Sequence, residues 1–246
     1  MIFSYLYITI SILATSALSL TGIIFLFFKI EKLKKITIFL VSLSAGTLLG
    51  ASFLHLLPEI IKEDGNSKNI WLLLLFGIIL FFILEKIIRW RHCHEPTCED
   101  HPHSLGLMNL VGDGLHNFID GIIIAGAYLT SVEVGITTTI AIIFHEIPQE
   151  MADFGVLIYA GFKKKKALLL NFLLSLTAIA GGLLVILLEQ KIKNLTEIII
   201  PITAGSFIYI ATADLLPELK KEASLKKSFH QLLFILLGIG IMLIAK

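Results

Sequence analysis

The sequence predicts an all-α membrane protein of eight transmembrane helices built as inverted repeats, spans 1–3 against spans 6–8, with spans 4 and 5 between them. Three observations predict it. Of 246 residues, 56% are hydrophobic and only 16% are charged, where soluble domains carry about 25% charged residues. Apolar runs long enough to cross about 30 Å of hydrocarbon recur along the whole chain. Short polar strings recur in segments that run in opposite directions.

The first span, 4–28, has no basic stretch before it and is too long for the core of a cleaved leader, so it is expected to remain as a helix. The second, 36–60, ends on His55-Leu56-Leu57-Pro58-Glu59, and the third covers 69–89. The longest connection follows, 91–104, which gathers His92, Cys93, His94, Cys98, His101 and His103. Its two thiols are the only cysteines of the chain and suit a metal contact better than a disulfide framework. Spans four to eight fall at 105–130, 132–160, 166–188, 196–217 and 229–245. Each is expected to be a helix, because only helices and closed barrels satisfy every backbone group in lipid and these runs are too long for barrel strands. Residues 1–246 thus form one polytopic domain whose short connections leave no room for a soluble catalytic unit.

Orientation follows from the cations. Fifteen of the 20 Lys and Arg fall on the first, third, fifth and seventh connections, including Lys163 to Lys166, and five fall on the opposite side. The positive-inside rule places the fifteen in the cytoplasm and both termini outside. The expected setting is a plasma or cell inner membrane, with the His/Cys connection on the cytoplasmic face. A formal net charge of +1 points to no polyanionic partner and no nucleic acid.

Ala45-Gly46 precedes His55-Leu56-Leu57-Pro58-Glu59 by the same interval that separates Ala204-Gly205 from Asp214-Leu215-Leu216-Pro217-Glu218. The first copy closes an outward-running span and the second an inward-running one, as inverted-topology repeats of secondary transporters require. Leu-Leu-Pro-Glu is also a common way to end a helix, so the matching Ala-Gly carries much of this reading.

Spans 4 and 5 repeat the logic. His116-Asn117-x-x-Asp120 and His145-Glu146-x-x-Gln149 put polar residues at i, i+1 and i+4, so each helix presents a narrow polar stripe. Asp113 and Asp153 lengthen the stripes, and Glu150 flanks the second. A charged group near the bilayer centre costs about 2.5–3.5 kcal/mol on insertion scales, and a divalent cation would offset it. Imidazole, carboxylate and amide oxygens suit zinc, iron, manganese or cobalt. Pro148 cannot donate to the Phe144 carbonyl, which is expected to add an oxygen donor beside His145. Two other readings compete. Intramembrane His and Asn serve elsewhere as interhelical hydrogen-bond glue. His-Glu-x-x-His on a helix is the zinc metalloprotease motif, but here Gln149 holds the fifth place and proline interrupts it.

With these residues in view, Asp113-Gly114-Leu115-His116-Asn117-Phe118-Ile119-Asp120-Gly121 and His145-Glu146-Ile147-Pro148-Gln149-Glu150 closely resemble the fourth- and fifth-helix signatures of the ZIP (Zrt/Irt-like protein) family of metal-ion transporters. Gly46-Thr47-Leu48-Leu49-Gly50 through Glu59 points to its LIV-1-like branch. The resemblance implies import of Zn2+, with Fe2+, Mn2+ or Cd2+ as further cargo, through a binuclear-type site between helices 4 and 5. It implies one metal position at His116, Asp120, His145 and Gln149, and a neighbouring one at Asn117 and Glu146. LIV-1-like members usually carry histidine where Gln149 stands. Some members place a glutamate on the sixth helix, whereas Leu168 to Leu188 contains no carboxylate.

The sequence therefore predicts a divalent-metal importer working by alternating access. His55 and Glu59 are placed near its outer mouth and Asp214 and Glu218 near its inner one. No ATP-binding motif is present, so gradients are the expected driving force. Its partners are divalent metal ions and the lipid bilayer, with a homodimer left open. A membrane metal receptor or sensor, reading metal through the His/Cys connection, is the non-transport alternative.

Overall fold

The computed structural model describes residues 2–23, 30–64, 67–90, 102–192, 194–221 and 224–245, and every regular element among them is helical. Helix α1 spans Ile2–Ala17 and tightens into 3-10 turns over Leu18–Ile23. Helix α2 runs Ile30–Ala51, widens over Ser52–Leu56 and continues as Leu57–Asp64. Helices α3, α4 and α5 are Lys68–Trp90, Pro102–Thr130 and Val132–Tyr159. Helix α6 is Lys164–Ser175 and Thr177–Glu189. Helix α7 is Leu195–Tyr209, a wide segment Ile210–Leu215, then Leu216–Lys220, and α8 is Leu225–Ile244.

Among the described residues, six helical stretches are long and apolar enough to cross a bilayer: Ser4–Thr21, Ile38–Lys62, Lys68–Lys86, Lys164–Glu189, Leu195–Lys220 and Leu225–Ile244. They belong to α1, α2, α3, α6, α7 and α8. Helices α4 and α5, with 29 and 28 residues, extend about 44 and 42 Å at 1.5 Å per residue. They are not among the six, because the polar stripes dilute their apolar content.

The repeated string folds the same way twice. In both copies proline lacks the N–H that an α-turn needs, and the backbone responds with one wide turn just before it. Leu57 N–H reaches the Ser52 carbonyl in the first copy, and Leu216 N–H reaches the Ala211 carbonyl in the second. The partners are related in the same manner. A Cβ on Gly46 would stand 2.1 Å from the Ile235 carbonyl oxygen, and one on Gly205 would stand 2.1 Å from that of Leu74. Reciprocally, a Cβ on Gly238 would meet the Leu43 oxygen at 2.5 Å, and one on Gly77 the Ile202 oxygen at 2.3 Å. Gly46 stands to Gly205 as Leu43 stands to Ile202. Span 2 thus packs on span 8 as span 7 packs on span 3, with small residues allowing backbone-to-backbone approach.

Two local features fix the remaining helices. Ser131 alone separates α4 from α5; its extended backbone reverses the chain, and its hydroxyl accepts the Val134 N–H at 3.1 Å as an N-cap. Helix α5 stops at Gly161, whose φ of 85° suits glycine. There the Phe162 N–H bonds the Leu157 carbonyl and the Gly161 N–H bonds that of Ile158, a Schellman closure. Helix α6 breaks at Leu176, and hydroxyls cover the carbonyls that the break exposes. Thr177 Oγ1 donates to Leu174 at 2.7 Å and Ser16 Oγ donates to Ser175 at 2.9 Å.

Candidate metal centre

The one-residue reversal at Ser131 sets the centre. His116 lies fifteen residues before it and Glu146 fifteen after, so both sit about 22 Å along their helices from the turn. Equal distance along two antiparallel helices means equal depth. Tyr128 packs against the backbone of Gly135 across the hairpin, and its hydroxyl lies 2.9 Å from Ser11 Oγ on α1. The register is therefore pinned near the turn, and the polar stripes meet further along.

They meet closely. One ligand atom from each of His116, Asp120, His145 and Glu146 falls within 4.8 Å of all the others. His116 Nε2 is 3.2 Å from Glu146 Oε1, 3.7 Å from Asp120 Oδ2 and 3.3 Å from His145 Nε2. His145 Nε2 is 3.5 Å from Asp120 Oδ2 and 3.7 Å from Glu146 Oε1. His145 Nδ1 donates to the Ala141 carbonyl at 3.2 Å, which leaves the Nε2 lone pair facing the cluster, as metal-bound imidazoles are usually held. Phe81 meets the His116 ring edge-on at 6.4 Å between centroids, and Phe207 meets that of His145 at 6.2 Å.

Asp120 and Glu146 are buried, and Asp120 Oδ2 and Glu146 Oε1 take no hydrogen bond. Buried charges need partners, and two carboxylates facing two imidazole nitrogens is a donor set that a divalent cation completes. Three of the four residues of the metal position that the resemblance implies, His116, Asp120 and His145, fall in this cluster, and Glu146, expected at the neighbouring position, stands with them. Gln149 lines the adjoining cavity together with His116.

The other predicted residues separate into those near the centre and those outside it. Asn117 donates its amide to Asp113, at 2.7 Å to Oδ1 and 3.1 Å to the backbone carbonyl. Glu150 is fully buried and its Oε2 accepts from Asn171 Nδ2 on α6 at 3.0 Å, so the amide of the sixth helix faces a carboxylate of the fifth. The cavity, about 430 Å3, is lined by His116, Asp113, Gln149 and Asp153, and also by Asp214 from α7. Its remaining polar wall comes from Asn109, Glu85 and Tyr209, and Tyr209 donates its hydroxyl to Glu85.

His55 does not reach the cavity: its Nε2 donates to the Met242 carbonyl of α8 at 2.8 Å. Glu59 pairs with Lys62 at 3.1 Å and Glu218 with Lys221 at 2.5 Å, the same contact in both repeats; exposed pairs of this kind contribute little to stability. The Phe144 carbonyl freed by Pro148 is not left for a metal, because Ser44 Oγ on α2 donates to it at 2.5 Å. His92, Cys93, His94, Cys98 and His101 lie outside the described residues, as does the His103 side chain.

Sequence reasoning missed Asn109, Asn171, Ser44, Glu85 and Tyr209. Asn109 precedes Asp113 by four residues and extends the α4 stripe, so periodicity could have found it. Asn171 is the lone amide of an apolar run. Ser44, Tyr209 and Glu85 carry no signal, since a mid-span hydroxyl or a carboxylate at a span end is ordinary.

Among the described residues, the cavity reaches the centre at His116 from one end of the bundle. The cavity is walled by the end of α3, the first half of α4, the last part of α5 and the end of α7, all at one end of the bundle. Toward the other end, Leu48, Ala51, Ile124, Ala127, Ile142 and Phe207 are buried in one continuous apolar core.

Comparison with known proteins accords with this geometry. A family model described as ZIP Zinc transporter matches residues 5–106 and 100–246. The chain is 32% identical over 219 residues to zinc transporter ZIP13 of Pongo abelii, covering 83% of this chain and 65% of that protein. It is 30% identical over 238 residues to zinc transporter YKE4 of Saccharomyces cerevisiae, covering 82% and 69%. Zinc transporter SLC39A7 of Rattus norvegicus is 27% identical over 299 residues, covering 83% and 64%. The chain thus spans about two thirds of the length of the curated relatives it matches. All three are named as zinc transporters, and none as a protease. All-helical, multi-pass and carrying the stripes of the fourth and fifth helices, the chain belongs to the ZIP zinc-transporter family, in its LIV-1-like branch.

Proposed function

We propose that the chain carries divalent metal, zinc first, across its membrane and into the cytoplasm through the centre between α4 and α5. The observation that carries this reading is the buried set His116, Asp120, His145 and Glu146, with two carboxylate oxygens that take no hydrogen bond. Family membership and the names of the relatives, all zinc transporters, support zinc as cargo. Fe2+, Mn2+ and Cd2+ suit the same donors and are proposed as further cargo.

In this reading α4 and α5 cross the membrane with the six apolar stretches, giving eight spans. The cavity opens at the end that carries Lys163 to Lys166, which the positive-inside rule assigns to the cytoplasm. Four lysines at the start of α6 oppose the helix dipole, so their place is better explained by topology than by helix stability. Both termini then face outward, in a plasma or cell inner membrane. One-sided access is the inward-open half of an alternating-access cycle. Asn117 and Glu146 help form a neighbouring metal position, with the Asn171 amide standing on the sixth helix, which carries no carboxylate between Leu168 and Leu188.

The test is uptake into proteoliposomes loaded with a zinc-sensitive dye. His116→Ala and Asp120→Ala should abolish uptake while the protein still reconstitutes. Normal uptake by both would end the assignment. Saturable zinc binding without flux in the unaltered protein would favour a receptor or sensor instead.

A further inference from the structure

Asp113 lies one turn before His116 on the side of the cavity, and only half of its carboxylate is used. Asn117 clamps Oδ1 at 2.7 Å and also caps the Asp113 carbonyl, which fixes the plane of the carboxylate. Oδ2 is buried, takes no hydrogen bond and belongs to a residue only 4% exposed. Asp153 on α5 and Asn109, one turn earlier on α4, line the same cavity wall, with Gln149 between Asp153 and the centre. Every donor here is oxygen. Next door, the centre mixes imidazole nitrogen with carboxylate.

Resting on the reading of this chain as a metal transporter, we propose that Asp113 and Asp153, with the amides of Asn109 and Gln149, form a separate oxygen-donor station for a divalent cation between the His116 centre and the cavity mouth. The two aspartates do not join the cage of the centre: among carboxylates and imidazoles, the group of mutually close atoms stops at His116, Asp120, His145 and Glu146. The station therefore holds a partly hydrated ion, as hard cations prefer when only one or two carboxylates are supplied. Its chemical consequence is a graded release. A metal leaving imidazole ligands regains oxygen ligands and water in steps rather than in one. Asp113 is built for this transfer, because its free oxygen is oriented in advance and costs no hydrogen bond when the ion arrives.

Selectivity separates the two sites experimentally. An all-oxygen site accepts Mn2+ readily, whereas zinc gains most from the imidazoles. Purified full-length protein in nanodiscs is titrated with Mn2+, read by loss of the free-ion EPR signal, and with Zn2+, read by competition with a chelating dye. His116→Ala/His145→Ala should weaken Zn2+ binding at least tenfold and leave one Mn2+ site within threefold of its original affinity. Adding Asp113→Asn/Asp153→Asn should remove that Mn2+ site, while Asp113→Asn/Asp153→Asn alone should keep the high-affinity Zn2+ site. Loss of all Mn2+ binding in the histidine variant overturns the station, as does its survival when both aspartates are replaced; either result leaves the transporter reading standing. Unaltered protein that binds neither ion would instead defeat that reading. Retained thermal unfolding temperature in each variant confirms that the isosteric asparagines leave the fold intact.

Discussion

Replacing Ser44 by alanine tests how α5 tolerates a proline beside its proposed metal ligand, His145. Pro148 removes the N–H that would reach the Phe144 carbonyl, and Ser44 Oγ on α2 supplies a substitute donor at 2.5 Å, sharing its proton with the Leu40 carbonyl at 2.8 Å. Without the hydroxyl, the carbonyl is stranded in a half-buried, water-poor position. An unsatisfied buried acceptor costs about 1–3 kcal/mol. Phe144 directly precedes His145, so part of this cost falls on the metal-bound geometry; spent wholly there, 1–3 kcal/mol is a roughly 5- to 150-fold loss of zinc affinity. The decisive measurement is a double-mutant cycle with Pro148→Ala, which gives α5 back its own donor. Unfolding in detergent and zinc titration should both show a clear penalty for Ser44→Ala alone and about 0.5 kcal/mol or less in the Pro148→Ala background. An equal penalty in both backgrounds would show that Ser44 acts through its own helix and refute the argument.

Further outcomes are expected from other parts of the fold. Gly46→Ala and Gly205→Ala should each destabilise by about 1–3 kcal/mol, because a Cβ would sit 2.1 Å from a backbone oxygen in either case; thermal unfolding that moves for one and not the other would break the equivalence of the repeats. Asn171→Leu should destabilise by about 1–3 kcal/mol by leaving Glu150 buried without its donor, and adding Glu150→Leu should recover most of the loss in the same unfolding assay. Zinc at a hundred times its dissociation constant should stabilise the unaltered protein by about 2.7 kcal/mol, read as a rise in unfolding temperature that His145→Ala removes.

Much of this arrangement is legible in the residues. Six spans are visible because hydrocarbon thickness translates directly into apolar length, and the repeats because the same proline forces the same wide turn in both copies. The His116 and His145 stripes are visible because helical periodicity puts i and i+4 on one face. Which residues of the stripes converge is not legible. Glu146, one position after His145, joins Asp120 because the hairpin at Ser131 fixes register, and register depends on how Tyr128 seats on Gly135. The partners of lone polar groups are equally hidden: Ser44 finds Phe144, Asn171 finds Glu150 and His55 finds Met242 across large sequence separations. Such pairs are settled by packing, and no local pattern announces them.

The same physics explains why the two helices that carry the centre are the ones that fail an apolarity criterion. Asp113, Asp120, Glu146, Glu150 and Asp153 all lie on α4 and α5; facing lipid singly, five such carboxylates would cost roughly 12–18 kcal/mol on insertion scales, as much as a stable domain's whole stability of about 5–15 kcal/mol. These helices can stand in a bilayer only if their stripes face inward, and a one-residue turn at Ser131 makes them face each other. The enclosing helices supply what the pair lacks. Their outer faces expose Leu72, Leu75, Phe76 and Ile79 on α3 and Leu232, Leu233, Leu236 and Leu237 on α8, as lipid demands. Their inner faces offer hydroxyls and amides such as Ser44 and Asn171, placed where a carbonyl or carboxylate would otherwise be stranded. Among the described residues, four buried carboxylate oxygens take no hydrogen bond: Asp120 Oδ2, Glu146 Oε1, Asp113 Oδ2 and Glu150 Oε1. All four belong to the paired stripes of α4 and α5, beside the centre and its cavity. The bundle thus concentrates its unbonded carboxylate oxygens along the seam that the proposed transport reading assigns to the cation.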